Sequence, residues 1–122
     1  MATVRYLVHD VDVAITFYTT HLDFKLVDQM GPAFAIVERD NLELWLSGPQ
    51  SSAARPMPDG CQPVAGGWNR FVVEVDDIDS RVASMKAAGV QFRNEIIQGP
   101  GGKQILVDDP SGNPIELFQP AG

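Results

Sequence analysis

A five-residue pattern occurs twice in this chain and governs any fold it can adopt. Val8-His9-Asp10-Val11-Asp12 returns as Val75-Asp76-Asp77-Ile78-Asp79, 67 residues later. Each copy follows an alternating run and precedes a helical pattern, the layout of a strand handing over to a capped helix. Recurrence at this distance predicts two supersecondary units of one kind.

The first copy reads as a strand over residues 3–9, with Val4, Tyr6 and Val8 on one face and Thr3, Arg5 and Leu7 on the other. Asp10 or Asp12 can cap a helix over about 12–22, where Ala14, Phe17, Tyr18 and Leu22 form an apolar stripe. Strands follow at Phe24–Asp28, Ala33–Arg39 and Leu42–Leu46, separated by the turns Gly31-Pro32 and Asp40-Asn41. In the second copy Phe71, Val73 and Val75 oppose Arg70, Val72 and Glu74. A helix over about 79–88 carries Val82, Met85 and Ala88, with Gly89 suited to its C-cap. Strands at Val90–Arg93 and Gln104–Val107 flank Gly99-Pro100-Gly101-Gly102, which leads into a strand and so reads as a hairpin turn, not a phosphate loop.

The chain ends on a run of turn formers, Asp109-Pro110-Ser111-Gly112-Asn113, and a strand alternating Ile115 and Leu117 against Glu116 and Phe118. Leu42-Glu43-Leu44 in the first copy answers Ile115-Glu116-Leu117 in the second. The expected fold is therefore α+β: one domain, 1–122, with a βαβββ module at about 1–48, a linker at about 49–67 and a second module at about 68–122. Pro, Gly, Ser and Ala dominate the linker, which reads equally as a solvated connection or as a lid or partner-binding arm.

Charge and composition exclude several classes. A formal net charge of −7 argues against binding a nucleic-acid backbone and mildly favours a neutral or cationic ligand. No apolar run approaches a membrane span, and Met1-Ala2-Thr3-Val4-Arg5 does not read as a signal peptide. Cys61 is the only cysteine, so no intrachain disulfide can form and a cytoplasmic location is expected. Cysteine–histidine nucleophilic catalysis lacks a partnered pair. His9 lies in a strand-to-helix connection and reads as exposed or capping; His21 sits near a helix end, where a cation suits the dipole.

The Val-x-Asp before each helix, Phe17-Tyr18 with Leu22-Asp23-Phe24, and Asp109-Pro110-Ser111-Gly112-Asn113 with Ile115-Glu116-Leu117 resemble the vicinal oxygen chelate superfamily. That group holds glyoxalases, bleomycin-resistance proteins, fosfomycin-resistance enzymes and extradiol dioxygenases. The resemblance implies two βαβββ modules forming a curved, incompletely closed mixed sheet around a cavity, usually in a homodimer. It also implies four metal-ligand positions, which fall here on Thr3, Glu43, Arg70 and Glu116. Both glutamates are present, but threonine and arginine stand where His or Gln is usual. A guanidinium is always charged and donates no lone pair, so no metal or other cofactor is expected. Arg70 is instead expected to act as a substitute cation, pairing with Glu116 or Glu43.

Alternation puts Arg5, Leu7, Glu43, Trp45, Arg70, Val72, Glu74, Glu116 and Phe118 on the cavity faces, with Trp68 at the entry to the second module. Of these, Arg5, Leu7, Trp45, Trp68, Arg70, Val72 and Phe118 are the candidate ligand-binding residues. The first expectation is a metal-independent small-molecule-binding protein of the bleomycin-resistance kind. The alternative is a glyoxalase-like lyase or isomerase, either metal-assisted or with Glu43, Glu74 or Glu116 as base and Arg70 stabilising an oxyanion. A third is a subunit whose cavity has closed around an Arg70–Glu116 pair.

Overall fold

The structure, a computed structural model, describes residues 1–122. The first repeat forms β1 (Ala2–Leu7), α1 (Val11–His21), β2 (Lys25–Met30), β3 (Phe34–Arg39) and β4 (Leu42–Ser47). The second forms β5 (Val72–Glu74), α2 (Ile78–Ala87), β6 (Ile97–Gly99), β7 (Gly102–Asp108) and β8 (Pro114–Pro120). Each repeat builds one four-stranded mixed sheet, in the order β1-β4-β3-β2 and β5-β8-β7-β6. In both, the first strand pairs parallel with the last and the other pairs are antiparallel. The fold is α+β with a duplicated βαβββ layout.

The chain divides into two compact units. One comprises Met1–Gly66 with Pro110–Asn113, the other Gly67–Asp109 with Pro114–Gly122. The turn ahead of the last strand thus belongs to the first unit.

Both helices start as the repeated Val-x-Asp dictates. The Asp10 carboxylate accepts the Val13 N–H at 3.1 Å, and Asp77 accepts that of Ser80 at 3.1 Å. Asp12 and Asp79 occupy the first turns and His21 and Lys86 the last, each complementing the helix dipole. Helix α1 buries Val11, Ala14, Phe17 and Tyr18 and packs on β2, β3 and β4. Tyr18 meets Phe17 and Phe24 edge to face at 5.1 and 5.5 Å. Beneath it lie Tyr6, Ala35, Val37, Leu44 and Leu46, all buried. The second unit repeats the design, with Ile78, Val82 and Met85 of α2 over a sheet that buries Val73, Ile105, Val107, Ile115 and Leu117. Fully burying one such leucine contributes about 2–3 kcal/mol.

The segment Val90–Arg93, expected as a strand, is not one. Only Phe92 bridges to Val107, and the regular pairing with β7 begins later, at Ile97. Between them the Asn94 side chain accepts the Leu106 N–H at 2.9 Å, where a strand would have offered a backbone carbonyl. A side-chain acceptor replaces one rung, and the register slips. The equivalent strand of the first unit, β2, is also irregular, with a bulge between Leu26 and Asp28. At the β6–β7 hairpin Gly102 has φ +145, and a Cβ there would collide with the Gln119 carbonyl oxygen. Only glycine fits.

The linker folds against the first unit. It contains one 3-10 turn, Ser52–Ala54, and a turn in which Gly60 N–H donates to the Met57 carbonyl and Met57 N–H to the Cys61 carbonyl. Asn113, 4% exposed, fastens its far end: the side-chain oxygen accepts the Gly66 N–H at 2.8 Å and the amide donates to the Leu7 carbonyl at 2.7 Å.

Candidate functional site

Each sheet has one face under its helix and one away from it. On the free face of the first unit, register sets Thr3 beside Glu43, Arg5 beside Trp45 and Leu7 beside Ser47, with Glu38, Ile36 and Phe34 continuing those rows on β3. Arg5 is the centre of this face. Its guanidinium lies 5.0 Å from the Trp45 ring and 6.0 Å from Phe34, and Nη1 donates to Ser47 Oγ at 3.2 Å. Phe34 and Trp45 meet edge to face at 5.6 Å. The Trp45 indole donates to Glu43 Oε1 at 2.6 Å, so that carboxylate is already engaged. Arg5, Trp45 and Glu43 therefore form one cluster, as alternation predicts. Phe34 and Ser47 join it, and both escaped the sequence reading. Phe34 shares parity with Ile36, but cross-strand register was needed to bring it to Arg5; Ser47 lay one residue beyond the expected strand.

Leu7 and Ser47 also line a half-open pocket of about 160 Å³, whose other walls include Val8, His9, Gly48, Pro63 and Val64. Its outer wall is the linker. Gly48 belongs there because a Cβ would press on Val11 and on the Pro32 carbonyl oxygen. His9 reaches the pocket rim, and its backbone N–H donates to Ser111 Oγ at 2.8 Å. His21 is a helix-end residue beside Phe17, at 5.4 Å between ring centroids.

On the free face of the second unit, Val72 pairs with Glu116 and Glu74 with Phe118, while Leu106 and Gln104 continue the rows. The two units differ here. Glu43 stands opposite Thr3, but Glu116 stands opposite Val72, so Arg70 lies outside β5 and reaches Glu116 diagonally. It does so with two donors on one oxygen: Nε at 3.2 Å and Nη2 at 2.9 Å, both to Oε1. Its Nη1 donates to the Trp68 carbonyl at 3.3 Å. Trp68 itself is 68% exposed and stacks against Arg93 at 4.6 Å. Arg93 is held in turn by Asp108 at 2.6 Å and by the Gly67 carbonyl at 2.6 Å. In the sequence Arg93 has the signature of a strand residue only, and nothing in its neighbours signals this role. Val72 and Glu74 are exposed on the edge strand β5, and Phe118 is half-buried.

The superfamily's metal chemistry can be tested against these donors. Thr3 offers a hydroxyl, Arg70 offers no lone pair, Glu116 is bound by Arg70 and Glu43 by Trp45. No group of three or more His, Cys, Asp or Glu side chains gathers anywhere in the chain. A divalent ion in a catalytic site needs about three protein ligands of imidazole or carboxylate type. The residues present do not fit that group.

Comparison with known proteins agrees with the duplicated fold. The sequence profile of the Glyoxalase/Bleomycin resistance protein/Dioxygenase superfamily matches residues 1–117. No curated protein sequence matches the chain. Among solved structures, a superfamily member from Sphaerobacter thermophilus aligns with a TM-score of 0.77 at 25% identity, covering 98% of this chain and 95% of that one. TnmS3, an antibiotic-binding protein from a Streptomyces species, aligns with a TM-score of 0.72 at 26% identity, covering 98% and 93%. The lactoylglutathione lyase of Agrobacterium tumefaciens aligns at 0.74 with 21% identity, covering 98% and 92%, a likeness of fold alone. The chain belongs to the Glyoxalase/Bleomycin resistance protein/Dioxygenase superfamily.

Proposed function

We propose that this protein is a metal-independent small-molecule-binding protein that sequesters a drug or metabolite. The observation that carries the reading is the Arg70–Glu116 pair: a fixed cation grips a glutamate that a metal-dependent member would need free. The indole hydrogen bond to Glu43 supports it from the other unit. Aromatic walls with a few polar anchors suit small-molecule capture. The likeness to an antibiotic-binding protein at 26% identity points the same way.

The working form is a homodimer in the cytoplasm. Supporting self-association, the edge strand β2 exposes the apolar side chains of Leu26, Val27 and Met30 on a strand with one unpaired edge. Sedimentation equilibrium reads the dimer directly.

The test of function is thermal unfolding of chelator-treated protein against a panel of aromatic natural products. A ligand at about a hundredfold its Kd adds about 2.7 kcal/mol, on the order of 10 °C in a domain of this size. Such a shift without turnover of the ligand is the expected result. Turnover of a bound compound would favour a lyase or isomerase, and unchanged melting across the panel would remove the proposal.

A further inference from the structure

We propose that the first unit carries an anion-anchored pocket for a small organic carboxylate with an apolar body. The inference rests on the small-molecule binding proposed above and names its ligand class. Arg5 is the anchor. Its guanidinium is oriented by Ser47 and by two aromatic rings, yet no carboxylate of the protein pairs with it. In a chain of net charge −7 an arginine without an acidic partner, set beside two rings that touch each other, needs an explanation. Glu43, the carboxylate on the neighbouring row, is bound by Trp45, so Arg5 keeps several N–H donors for an incoming anion. Its planar fork matches a carboxylate in a two-point hydrogen bond, and Arg5 is exposed, so an incoming anion can reach it.

The apolar half of the site adjoins. Ser47, which holds Arg5, and Leu7, its neighbour on the same face, both line the pocket under the linker. Val8, Pro63 and Val64 complete an apolar wall around about 160 Å³. Cavities on the order of 150 Å³ accept a benzene ring. Arg5 stands outside the pocket lining and is joined to it through Ser47, so the inferred ligand is of benzoate size, its ring in the pocket and its carboxylate turned toward Arg5 at the Ser47 edge. The overall negative charge of the chain disfavours anions at long range, so recognition here is local and geometric.

The experiment is calorimetric titration of the full chain with benzoate, with the neutral isostere benzamide and with acetate, which keeps the charge but lacks the ring. Benzoate should bind about tenfold or more tighter than either. Arg5→Met should remove the preference for benzoate over benzamide, and Arg5→Lys should restore only part of it. Ala54→Trp, on the pocket wall, should weaken benzoate while leaving acetate unchanged. Melting curves of each variant establish that it is folded. Equal binding of benzoate and benzamide, or a benzoate affinity unchanged by Arg5→Met, overturns the inference, as does failure of benzoate to bind. A neutral natural product that still raises the melting temperature in those cases preserves sequestration while rejecting the anion site.

Discussion

Arg70 and Glu116 decide the chemistry available to the second unit. Their side chains are 31% and 13% exposed, so solvent screens the pair only in part. Two donors meet one oxygen, and the diagonal reach from outside β5 fixes the arginine. Breaking a pair of intermediate burial should cost about 1–2 kcal/mol, between the exposed and the buried limits. Arg70→Ala is therefore expected to lower urea stability by that amount, and Arg70→Lys to recover little, because an ammonium lacks the fork. A stability unchanged in Arg70→Ala would mean that the contact is idle. The chemistry of this pair was legible in the sequence, since a guanidinium at a ligand position needs a carboxylate. Arg5 was legible only as a residue on the right face. Its embrace by Phe34, Trp45 and Ser47 depends on register between β1, β4 and β3, and alternation within one strand says nothing about that register.

Among the elements, the linker departs furthest from its composition. Its Pro, Gly, Ser and Ala residues describe a solvated connection, yet it walls a pocket, because Asn113 bonds it to the end of β1 from more than forty residues away in sequence. No local pattern carries such a contact; Asn113 read only as a turn former. Its two hydrogen bonds are part-buried, and removing the side chain frees Gly66 N–H and the Leu7 carbonyl together. Asn113→Ala should cost about 1–2 kcal/mol in chemical denaturation and speed proteolysis within residues 49–67. The strand expected ahead of β6 fails for a similar reason. Val90–Arg93 has strand composition, but Asn94 substitutes its side chain for a rung, and Asn94→Ala should destabilise by about 1–3 kcal/mol through the Leu106 N–H. The linker also holds a pH-sensitive turn. The Cys61 backbone N–H, donating to Asp59 at 2.9 Å, and then the Cys61 side chain hold that carboxyl below its ordinary value. A lowered folded-state pKa stabilises the turn above the ordinary carboxyl value, and the contribution is lost as pH falls through the lowered one. The Cys61 amide resonance should follow that titration, and Asp59→Asn should abolish the dependence. A Cys61 amide shift that ignores pH below the usual carboxylate range would contradict it.

At the scale of the molecule, duplication was the most legible property. Two helix caps, two alternating strands and two hydrophobic stripes specify two βαβββ units, and each unit buries its own leucine core, Leu44 and Leu46 in one and Leu117 in the other. Leu44→Ala and Leu117→Ala, both at fully buried sites, should each cost about 2–5 kcal/mol. No helix is long and apolar enough to cross a membrane. What the repeat does not specify is that the two free faces have diverged. The first presents a cation beside two aromatic rings, the second a closed ion pair with an exposed tryptophan beside it. Neither gathers a set of metal donors, which is the central difference from a metal-dependent relative. The most direct test is metal content after incubation of the chelator-treated protein with Ni, Mn, Zn or Fe(II), with melting temperature followed in parallel. Substoichiometric metal and an unchanged melting temperature are expected with each ion. Stoichiometric uptake of any one of them with a raised melting temperature would contradict metal independence.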